Sequence, residues 1–381
     1  MKIGIDAQRI FRRKKFGMDI VVCELIRHFQ KIDQTNKYTV YVAPGTDHCI
    51  KETTNFTIRK IKNKLYPVWE QILLPIVVSK TKIDLLHCTA NTAPIWCKKP
   101  MVLTLHDTIS LEHNSKKPKT CYQNFGNMYR KILIPHIVKK AKHLITVSET
   151  EKQNIVRMLH VSPELVTVVH NGIDDKQYRP VTDPCAQDVF RKKYQLPEHY
   201  IAFIGNTDPR KNVDNTLRAY ADYLEKSDKK RTLVMLHNNP KAFESFVRKL
   251  HLTHLRENIQ LLGYIESADM PAFYSLADMF LYPSLREGFG MPVLEAMACG
   301  TPVITSNVSA MPEVGGDAAL YASPVHYPEI AGKMLYLETN PEIRKNMIDA
   351  GFEQCKKFAW NDAAQKVMNI YQKVFEQSKH L

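Results

Sequence analysis

This chain of 381 residues lacks the sequence features that identify membrane-spanning and secreted proteins. No apolar run approaches the ~20 residues that a membrane-spanning helix needs. The best candidate, Leu65 to Val78, is interrupted by prolines and by the polar pair Glu70 and Gln71. Near the N-terminus, Asp6 and Arg9 exclude the apolar core of a signal peptide. We therefore expect a protein that stays in the cytoplasm.

Cysteine motifs and dinucleotide-binding motifs are also missing. None of the eight cysteines belongs to a Cys-x-x-Cys pair, so we expect reduced thiols scattered through the packing rather than a zinc or redox site. No Gly-x-Gly-x-x-Gly follows the first predicted strand. This absence argues against a dehydrogenase that binds a dinucleotide.

Positive charge is abundant, and its excess is confined to one half of the chain. The net charge is +14, with 30 Lys and Arg against 15 Asp and Glu in residues 1–180, but 23 against 24 in residues 181–381. The excess forms four clusters, at 12–15, 59–64, 116–119 and 139–142. Such clusters can be plain solvated surface. Because the excess is confined to one half, we favour attraction to an anionic membrane face or a polyanionic acceptor, worth about 1 kcal/mol per cation near the surface.

A nucleic acid is the other partner that a basic surface suggests, and we do not expect it here. Proteins that bind single-stranded nucleic acid combine cations with aromatic side chains on which the bases stack. Clusters such as Lys139 to Lys142 have no aromatic residue between their cations. A nucleic-acid-binding protein therefore stays the weaker interpretation of the charge.

Short apolar strands alternate with amphipathic helical stretches in both halves of the chain. This pattern predicts parallel sheets covered by helices on both faces, and hence an α/β fold with two doubly wound domains. The predicted strands begin at Lys2, Tyr38, Asp84, Met101, His143 and Val166 in the first half, and at Tyr200, Thr232, Ile259, Met279 and Pro302 in the second. A polar, proline-bearing stretch from Asp174 to Pro197 marks the boundary. We predict domains over residues 1–178 and 179–360, followed by a last helix over residues 361–381.

Four residues of interest each follow the end of a predicted strand. They are Gly17, His106, Gly205 and Glu287. Open parallel sheets bind ligands beyond the carboxyl ends of their strands. We therefore expect all four residues to face one cleft between the two domains.

The most informative motif is PSLREGFGMPVLEAMACGTPVI, from Pro283 to Ile304. Two glutamates, Glu287 and Glu295, flank a Gly-Phe-Gly turn, and Pro292 suits the first turn of a helix. The N–H groups and the dipole at the start of that helix favour an anion such as a phosphate. The motif therefore predicts a site for a sugar attached to a diphosphate, with one carboxylate in the loop and the other on the helix.

The Glu-Gly-Phe-Gly turn and Glu295 resemble the signature of the retaining family 4 glycosyltransferases, whose GT-B fold has two Rossmann-like domains that face a cleft. Further motifs resemble this family in its order along the chain. They are LTLHDTI at 103–109, VSETEKQNI at 147–155, VVHNGID at 168–174, IAFIGNTDPRKN at 201–212 and MPEVGGDAAL at 311–320. The resemblance implies that the first domain lies on the acceptor side, that the second binds the nucleotide sugar, and that the last helix packs back on the first domain.

The resemblance also implies catalytic roles for individual residues. Glu287 would lie beside the donor sugar, and His106 would contact that sugar and face the acceptor, although a buried structural histidine is the alternative. Lys211 would stabilise the negative charge that develops on the diphosphate leaving group. Arg210 would add a second cation, because Asn206 stands where many members of the family carry an arginine.

The residues implied to bind the donor surround these catalytic candidates. Glu295 would accept hydrogen bonds from the ribose hydroxyls, and Gly17 would leave room for the sugar diphosphate. Asp19 stands where relatives have glycine, which suggests an unusual acceptor side in this loop. Asp107 is expected to cap its loop rather than to act as a base. The other residues implied to bind the donor are Gly205, Asn206, Tyr264, Gly288, Phe289, Gly290, Met291 and Pro292, of which Tyr264 either holds the base or simply packs.

The implied reaction moves a hexose from a nucleotide diphosphate to an acceptor hydroxyl with retention at the anomeric carbon. No Asp-x-Asp motif accompanies the predicted phosphate site, so we expect no metal or other cofactor. Lys211, Arg210 and the helix start would take the place of a metal. No nucleophile is evident, which favours front-face substitution, and closure of the domains would exclude water from the donor.

The substrates are less defined than the reaction. The Pro-Arg-Lys-Asn loop and the Glu-Gly-Phe-Gly-Met-Pro turn look most like bacterial mannosyltransferases of surface polysaccharide assembly, which suggests GDP-mannose, with a UDP-sugar as the alternative. A lipid-linked glycan at the inner membrane face fits the charge asymmetry as acceptor, with peripheral contact to the membrane. Two other enzymes of this fold stay open. They are a nucleotide-sugar epimerase, which needs no acceptor, and a phosphorylase, which needs free phosphate.

Overall fold

The computed structural model describes residues 1–63, 65–112, 121–237 and 239–379, and for 121–124 it describes the backbone alone. The chain divides into two compact units: unit 1 comprises Met1–Gly172 with Trp360–Leu381, and unit 2 comprises Ile173–Ala359. The sequence-based division places the first boundary between residues 178 and 179 instead. Of the predicted basic clusters, Lys64 and residues 116–119 lie outside the described residues, as do the last two residues of the predicted C-terminal helix.

Unit 1 contains a parallel sheet of seven strands in the order β3-β2-β1-β4-β5-β6-β7. Its strands are β1 (Lys2–Asp6), β2 (Lys37–Val42), β3 (Phe56–Lys60), β4 (Leu85–Cys88), β5 (Met101–Thr104), β6 (His143–Thr146) and β7 (Val166–Val168). Every residue of β4, β5 and β6 is buried. Burial on both faces is expected of a parallel sheet that is covered by helices on each side.

In the described part of unit 1, five α-helices lie between the strands of this sheet in the sequence. They are α1 (Gly17–Ile32), α2 (Tyr66–Val68), α3 (Leu74–Ser79), α4 (Cys121–Val138) and α5 (Glu149–Leu159). A π-helical segment, Trp69–Leu73, joins α2 to α3. Among α-helical turns, π-helical segments are rare and often occur at functional sites.

Unit 2 repeats the design with a parallel sheet of six strands in the order β10-β9-β8-β11-β12-β13. Its strands are β8 (Tyr200–Ile204), β9 (Thr232–Leu236), β10 (Ile259–Leu262), β11 (Met279–Tyr282), β12 (Val303–Ser306) and β13 (Ala319–Ala322). Its helices are α6 (Pro184–Tyr194), α7 (Val213–Lys226), α8 (Pro240–Lys249), α9 (Met270–Ser275), α10 (Met291–Ala298), α11 (Met311–Gly315), α12 (Tyr327–Thr339) and α13 (Pro341–Lys356). The strand order is that of the Rossmann fold, so the prediction of two doubly wound parallel sheets is confirmed.

Two strands, β3 and β13, were not predicted from the sequence, and both lie at a sheet edge. An edge strand needs no continuous apolar run, because one of its sides has no neighbouring strand. The segment FTIRK of β3 has a single buried residue, Phe56. The short ALYA segment of β13 carries two alanines, which do not favour a strand.

A buried ion network stabilises unit 2 near the amino ends of its strands. Arg231, just before β9, donates from Nε to Asp278 Oδ2 at 2.7 Å and from Nη1 to Glu338. The three side chains are 8%, 7% and 4% exposed. Tyr223 and Ser227 also donate to the Glu338 carboxylate. Two buried carboxylates therefore share one buried guanidinium.

The last helix, α14 (Trp360–Lys379), belongs to unit 1. Its Tyr371 ring lies 6.0 Å from the Phe29 ring of α1, and its Trp360 ring is stacked 6.4 Å from His28. The Tyr371 hydroxyl also lies 2.6 Å from His87 Nδ1 on β4. Aromatic packing and one buried hydrogen bond thus hold α14 against the first sheet. Among the described residues, no helix is both long enough and apolar enough to span a bilayer.

His87 makes the stability of unit 1 sensitive to acid. Its ring is fully buried between the hydroxyls of Tyr371 and Thr104, and burial lowers its pKa from 6.5 to about 3. The unfolded chain therefore binds a proton that the folded chain excludes, so stability is lost as the pH falls from 6.5 towards 3. We expect His87→Gln to lose less stability than wild type between pH 7.5 and pH 5, measured as the shift of the urea midpoint.

The exposed His136 provides the control for this experiment. His136→Gln should keep the wild-type dependence of the urea midpoint on pH. An identical pH dependence in wild type and His87→Gln would contradict the role given to His87.

Candidate active site

In each unit the strand order reverses at one point, which is where doubly wound sheets bind ligands. In unit 1 this point lies between β1 and β4, and in unit 2 between β8 and β11. The loop after β8 carries the predicted Arg210 and Lys211, and the loop after β11 carries Glu287. The two segments that the sequence singled out in unit 2 therefore follow neighbouring strands.

Lys211 and Glu287 form an ion pair at this point of unit 2. Lys211 Nζ lies 2.8 Å from Glu287 Oε1 and 2.5 Å from the Tyr282 hydroxyl, and it lies 4.6 Å from the centre of the Tyr282 ring. The side chains of Lys211 and Glu287 are only 16% and 13% exposed. Burial opposes the charge on Lys211, but Tyr282 and Glu287 outweigh it and raise its pKa. The site therefore holds a permanent, partly desolvated ammonium.

The backbone of the two loops is also bonded together. The Leu285 N–H donates to the Arg210 carbonyl at 2.8 Å, and Asn212 Nδ2 donates to the Pro283 carbonyl at 2.9 Å. Asn212 is buried, and its φ of 57° places it in the left-handed region that asparagine tolerates. These bonds hold Lys211 in place, so the position of its ammonium does not depend on a flexible loop.

Arg210 also pairs with an acid, but this pair is more exposed than the pair of Lys211: the side chains of Arg210 and Asp208 are 34% and 35% exposed. Arg210 Nε lies 3.1 Å from both Asp208 carboxylate oxygens, and its Nη2 lies 2.6 Å from Oδ2. Burial raises the pKa of Asp208, but the Arg210 contacts outweigh it and lower the pKa. Because water screens this more exposed pair, Arg210 would stabilise a phosphate less than the partly desolvated Lys211.

The Gly-Phe-Gly turn leads from Glu287 into α10. Gly290 is the N-cap of α10, with a φ of 111°. Phe289 is buried with its ring 5.7 Å from Phe358. The Ser309 hydroxyl accepts from the Glu287 N–H at 3.1 Å and donates to the Glu287 carbonyl at 2.6 Å. The buried Phe289 ring and the two hydrogen bonds between Ser309 and the backbone of Glu287 thus hold the turn in place. Met291 and Pro292 are the first two residues of α10.

Gly290 provides a test of this turn. A Cβ at Gly290 would overlap Met311 Cε, the movable end of a flexible side chain, and a φ of 111° is strained for any residue with a side chain. We expect Gly290→Ala to lower the free energy of unfolding by about 1–3 kcal/mol and to reduce turnover. Chemical denaturation measures the first effect and initial rates the second.

Gly332 in α12 is the matched control, because a Cβ there meets no atom within 4 Å. Gly332→Ala should leave the activity unchanged and stabilise the helix slightly. Equal effects of the two substitutions would contradict the constraint described for Gly290.

Glu295, on α10, lies between two tyrosines. The Tyr274 hydroxyl donates to Glu295 Oε2 at 2.7 Å, and the hydroxyl of Tyr178 also interacts with the carboxylate. Burial raises the pKa of Glu295, and the two tyrosines counteract this shift. The carboxylate can accept further hydrogen bonds, as the ribose hydroxyls of the predicted donor would require.

The remaining candidates of unit 2 differ in their surroundings. A Cβ at Gly205 would lie 2.5 Å from Met235 Cε, so this glycine permits close packing at the end of β8. Asn206 is exposed, and its Oδ1 accepts from the Asp208 N–H at 2.8 Å, which shapes the basic loop. The Tyr264 side chain is 51% exposed. Its exposure leaves the ring accessible to a nucleotide base.

His106, in unit 1, is a buried neutral imidazole two residues after β5. Its Nε2 donates to the Thr89 carbonyl at 2.8 Å, and its backbone N–H donates to Asn91 Oδ1 at 2.6 Å. Burial lowers its pKa below the ordinary value. Among the described residues, no hydrogen bond is made to Nδ1, so this nitrogen can accept one from a ligand. The neighbouring Asp107 accepts from the Ile109 N–H at 3.1 Å, as a loop cap does.

Gly17 and Asp19 open helix α1. A Cβ at Gly17 would meet no atom within 4 Å, so the space beside it is open. Asp19 Oδ2 accepts from the Phe16 N–H at 3.1 Å and caps the helix. Burial raises the pKa of Asp19. The acid that replaces the usual glycine therefore has a structural role at the helix start.

A small cleft at the switch point of unit 1 was not predicted. It lies between the end of β1, the start of α1 and Tyr66, and its polar lining includes Asp6, Gln8, Arg9 and Asp19. Burial, followed by the charge of Glu70, raises the pKa of Asp6 to about 8, so its carboxyl is protonated at neutral pH. Buried Gln8 Oε1 and Arg9 Nε make no hydrogen bond within the described part of the chain. The cleft can therefore offer both donors and acceptors to a ligand.

The sequence carried a signal for this cleft that was not used. Asp6 ends the first strand, and Gln8 and Arg9 follow it at the edge where a parallel sheet binds ligands. Tyr282 in β11 and Tyr274 in α9 had no such signal, because aromatic residues in strands and helices are ordinary core residues. Within the described residues, no group of three His, Cys, Asp or Glu is arranged to hold a metal ion.

Comparison with known families accounts for most of the chain. Residues 17–177 match the family described as Glycosyltransferase Family 4, and residues 186–354 match the family described as Glycosyl transferases group 1. Over 98% of its length, the chain superposes on 100% of Anabaena HepE, a structure solved in complex with UDP and glucose, with a TM-score of 0.74 and 17% identity. This likeness concerns the fold, which is GT-B.

Sequence relatives include two mannosyltransferases from Escherichia coli. The chain is 33% identical over 233 residues to O-antigen chain mannosyltransferase B, which covers 61% of this chain and 60% of that protein. It is 25% identical over 284 residues to the serotype-specific mannosyltransferase WbdA, covering 74% of this chain and 34% of WbdA. The chain thus spans less than two thirds of the length of these relatives. With a family 4 domain in unit 1 and a group 1 domain in unit 2, the chain belongs to the GT-B glycosyltransferases.

Proposed function

We propose that this protein transfers mannose from GDP-mannose, with retention at the anomeric carbon, to a hydroxyl of a lipid-linked glycan during synthesis of a bacterial surface polysaccharide. The observation that carries the proposal is the partly desolvated Lys211 ammonium, paired with Glu287 at the switch point of unit 2. The two relatives are named O-antigen chain mannosyltransferase B and serotype-specific mannosyltransferase WbdA. Both names support the choice of mannose, and the first supports a surface polysaccharide.

In this proposal, Lys211 stabilises the diphosphate as the bond from the anomeric carbon to the phosphate oxygen breaks. Its charge acts most strongly where water is excluded. Glu287 positions the sugar and stabilises the positive charge that develops on it. The acceptor hydroxyl attacks from the face that the diphosphate leaves, and the diphosphate takes the hydroxyl proton. Glu295 binds the ribose, and Arg210 and the start of α10 assist with the phosphates.

Unit 1 would supply the acceptor side of the reaction. We assign the acceptor hydroxyls to the cleft of Asp6, Gln8, Arg9 and Asp19, because its unpaired buried polar atoms can be satisfied by a ligand rich in hydroxyls. His106, with Nδ1 available as an acceptor, would bind a sugar hydroxyl. The excess of lysine and arginine in this half of the chain favours peripheral contact with an anionic membrane.

Thermal unfolding of the full chain with a panel of donors tests the choice of donor. A donor present at 100 times its Kd stabilises the folded state by about 2.7 kcal/mol. We expect GDP-mannose to raise the Tm more than UDP-glucose, UDP-galactose or GDP alone. A larger shift with a UDP-sugar would change the donor, and no shift with any nucleotide would contradict the proposed site.

The stereochemistry of the product tests the mechanism independently. In the product, NMR of the anomeric carbon should show the α configuration of the donor sugar. The β configuration would require inversion and would reassign Glu287 or Asp107 as a base. Turnover of the donor without an acceptor would indicate an epimerase instead.

A further inference from the structure

Unit 1 exposes an unusual number of large apolar side chains on three neighbouring segments. We name them together the Trp96 face: Ile72, Ile76, Trp96, Phe125, Met128 and Ile132. These side chains are between 47% and 78% exposed. Single exposed apolar residues are ordinary, but a contiguous set marks a surface that contacts something other than water.

Periodicity places the helical members of the Trp96 face, which are all but Trp96 itself, on exposed helical faces. Ile72 and Ile76 are four residues apart in the helical stretch formed by α2, the π-helical segment and α3. On α4, Phe125, Met128 and Ile132 are spaced by three and four residues, which puts them on one face. The other face of α4 carries Ile134 and Ile137, both fully buried in the core of unit 1. Helix α4 is therefore apolar towards the core and towards the outside.

Hydrogen bonds through Gln71 join the three segments. Gln71 Nε2 donates to the Tyr129 hydroxyl of α4 at 3.0 Å, and Gln71 Oε1 accepts from the Ile95 N–H at 3.0 Å. From the end of α4, Lys140 Nζ donates to the Ile95 carbonyl at 3.0 Å and lies 5.0 Å from the centre of the Trp96 ring. The residues next to Ile72, Met128 and Trp96 are thus bonded to one another, so the Trp96 face is one surface.

The charges around this surface have a single sign. Residues 65–79, 91–100 and 121–142 contain one acid, Glu70, which is fully buried and accepts from Tyr66, Thr92 and Tyr129. The same stretches contain seven cations, named here the rim of the face: Lys98, Lys99, Arg130, Lys131, Lys139, Lys140 and Lys142.

We propose that the Trp96 face docks unit 1 onto the surface of an anionic lipid bilayer. Exposed Ile, Phe and Met side chains enter the boundary between headgroups and acyl chains, Trp96 lies at the level of the headgroups, and the rim of Lys and Arg binds the lipid phosphates. A soluble protein partner would not need so uniform a rim of cations. This docking identifies the surface for the membrane contact included in the proposed function, and it does not depend on catalysis.

The single exposed tryptophan provides a direct readout. The chain has three tryptophans, and Trp69 and Trp360 are buried at 0% and 4% exposure, whereas Trp96 is 78% exposed. We expect the full chain to bind vesicles of phosphatidylcholine with phosphatidylglycerol, with a blue shift of its fluorescence, and not vesicles of phosphatidylcholine alone. The Trp96→Phe variant should still cosediment with the anionic vesicles but show no blue shift.

Two pairs of substitutions separate the apolar and the charged contributions. Two double variants should each weaken binding to the anionic vesicles at least tenfold. The first combines Phe125→Ser with Ile132→Ser, and the second combines Lys139→Glu with Lys140→Glu. The controls are exposed residues of unit 2: Val189→Ser with Val325→Ser, and Lys192→Glu with Lys241→Glu. Each control makes the same chemical change elsewhere and should leave binding within twofold of wild type.

Three results would overturn the proposal. They are no binding to anionic vesicles, equal weakening by the control pairs, and a dimer without vesicles that the Phe125→Ser and Ile132→Ser pair dissociates. The last result would make the Trp96 face an interface between copies. Failure of glycosyl transfer would leave the vesicle results unchanged, so the two proposals can fail separately.

Discussion

Lys211→Ala is expected to lower kcat by roughly 10²–10³, the loss typical of removing one preorganised group that stabilises charge in a transition state. The Lys211 ammonium is held by Glu287 and Tyr282, so it needs no reorganisation when the diphosphate departs. Glu287→Ala should cause a loss of similar size, because it removes the group proposed to position the sugar and frees the lysine to move. Initial rates with saturating donor and acceptor measure both effects.

Arg210→Ala is the matched comparison for this prediction. It removes a cation from the same loop, but one whose pair with Asp208 is more exposed to water than the pair of Lys211 with Glu287. We expect a loss of less than about tenfold, because a charge that water screens stabilises the proposed leaving group less. Circular dichroism and Tm should stay near wild type in all three variants. Turnover of Lys211→Ala and Glu287→Ala at the wild-type rate would refute the assignment of the site.

Arg231→Ala is expected to destabilise unit 2 by about 3–5 kcal/mol, the largest effect that we predict on stability. The substitution leaves the buried Glu338 carboxylate without its cation, and Asp278 keeps only the more exposed Arg344 at 3.1 Å and His199. Removing one partner of a buried ion pair costs more than the pair contributes, because the remaining charge stays desolvated. The urea midpoint of unfolding measures the effect.

Arg256, on the surface of the same unit, is the control. It pairs with Glu244, and the two side chains are 44% and 39% exposed. Arg256→Ala should change the free energy of unfolding by less than about 1 kcal/mol, because water already solvates both groups. If Arg231→Ala were no more destabilising than Arg256→Ala, the network would not be a main source of stability in unit 2.

The repeated pattern of strands and helices was enough to predict two parallel sheets and eleven of their thirteen strands. Buried central strands such as β4 and β11 can be predicted from the sequence, because both of their faces need apolar side chains. The edge strand β3 could not be predicted from the sequence, because its exposed positions are polar and interrupt the apolar pattern. The π-helical segment from Trp69 to Leu73 had no signal either, since its composition is that of an ordinary helix.

The sequence predicted those parts of the candidate site in which the chemistry constrains the residue type. Lys211 and Glu287 were singled out by their motifs, and the structure pairs them at 2.8 Å. The residues around this pair could not be predicted, because Tyr282 has the pattern of an ordinary core residue in a strand. The compensation of Arg210 by Asp208 was also missed, since a loop sequence does not reveal which charges pair. The Trp96 face was missed because its apolar residues follow the same periodicity as a core face.

The central claim is that the Lys211 ammonium in unit 2 binds the diphosphate of a sugar nucleotide. Isothermal titration of wild type and Lys211→Ala with GDP-mannose tests it most directly. We predict saturable binding by wild type and a Kd at least tenfold weaker for Lys211→Ala, with GDP weakened to the same extent. Equal affinities of the two proteins for GDP-mannose would contradict the claim.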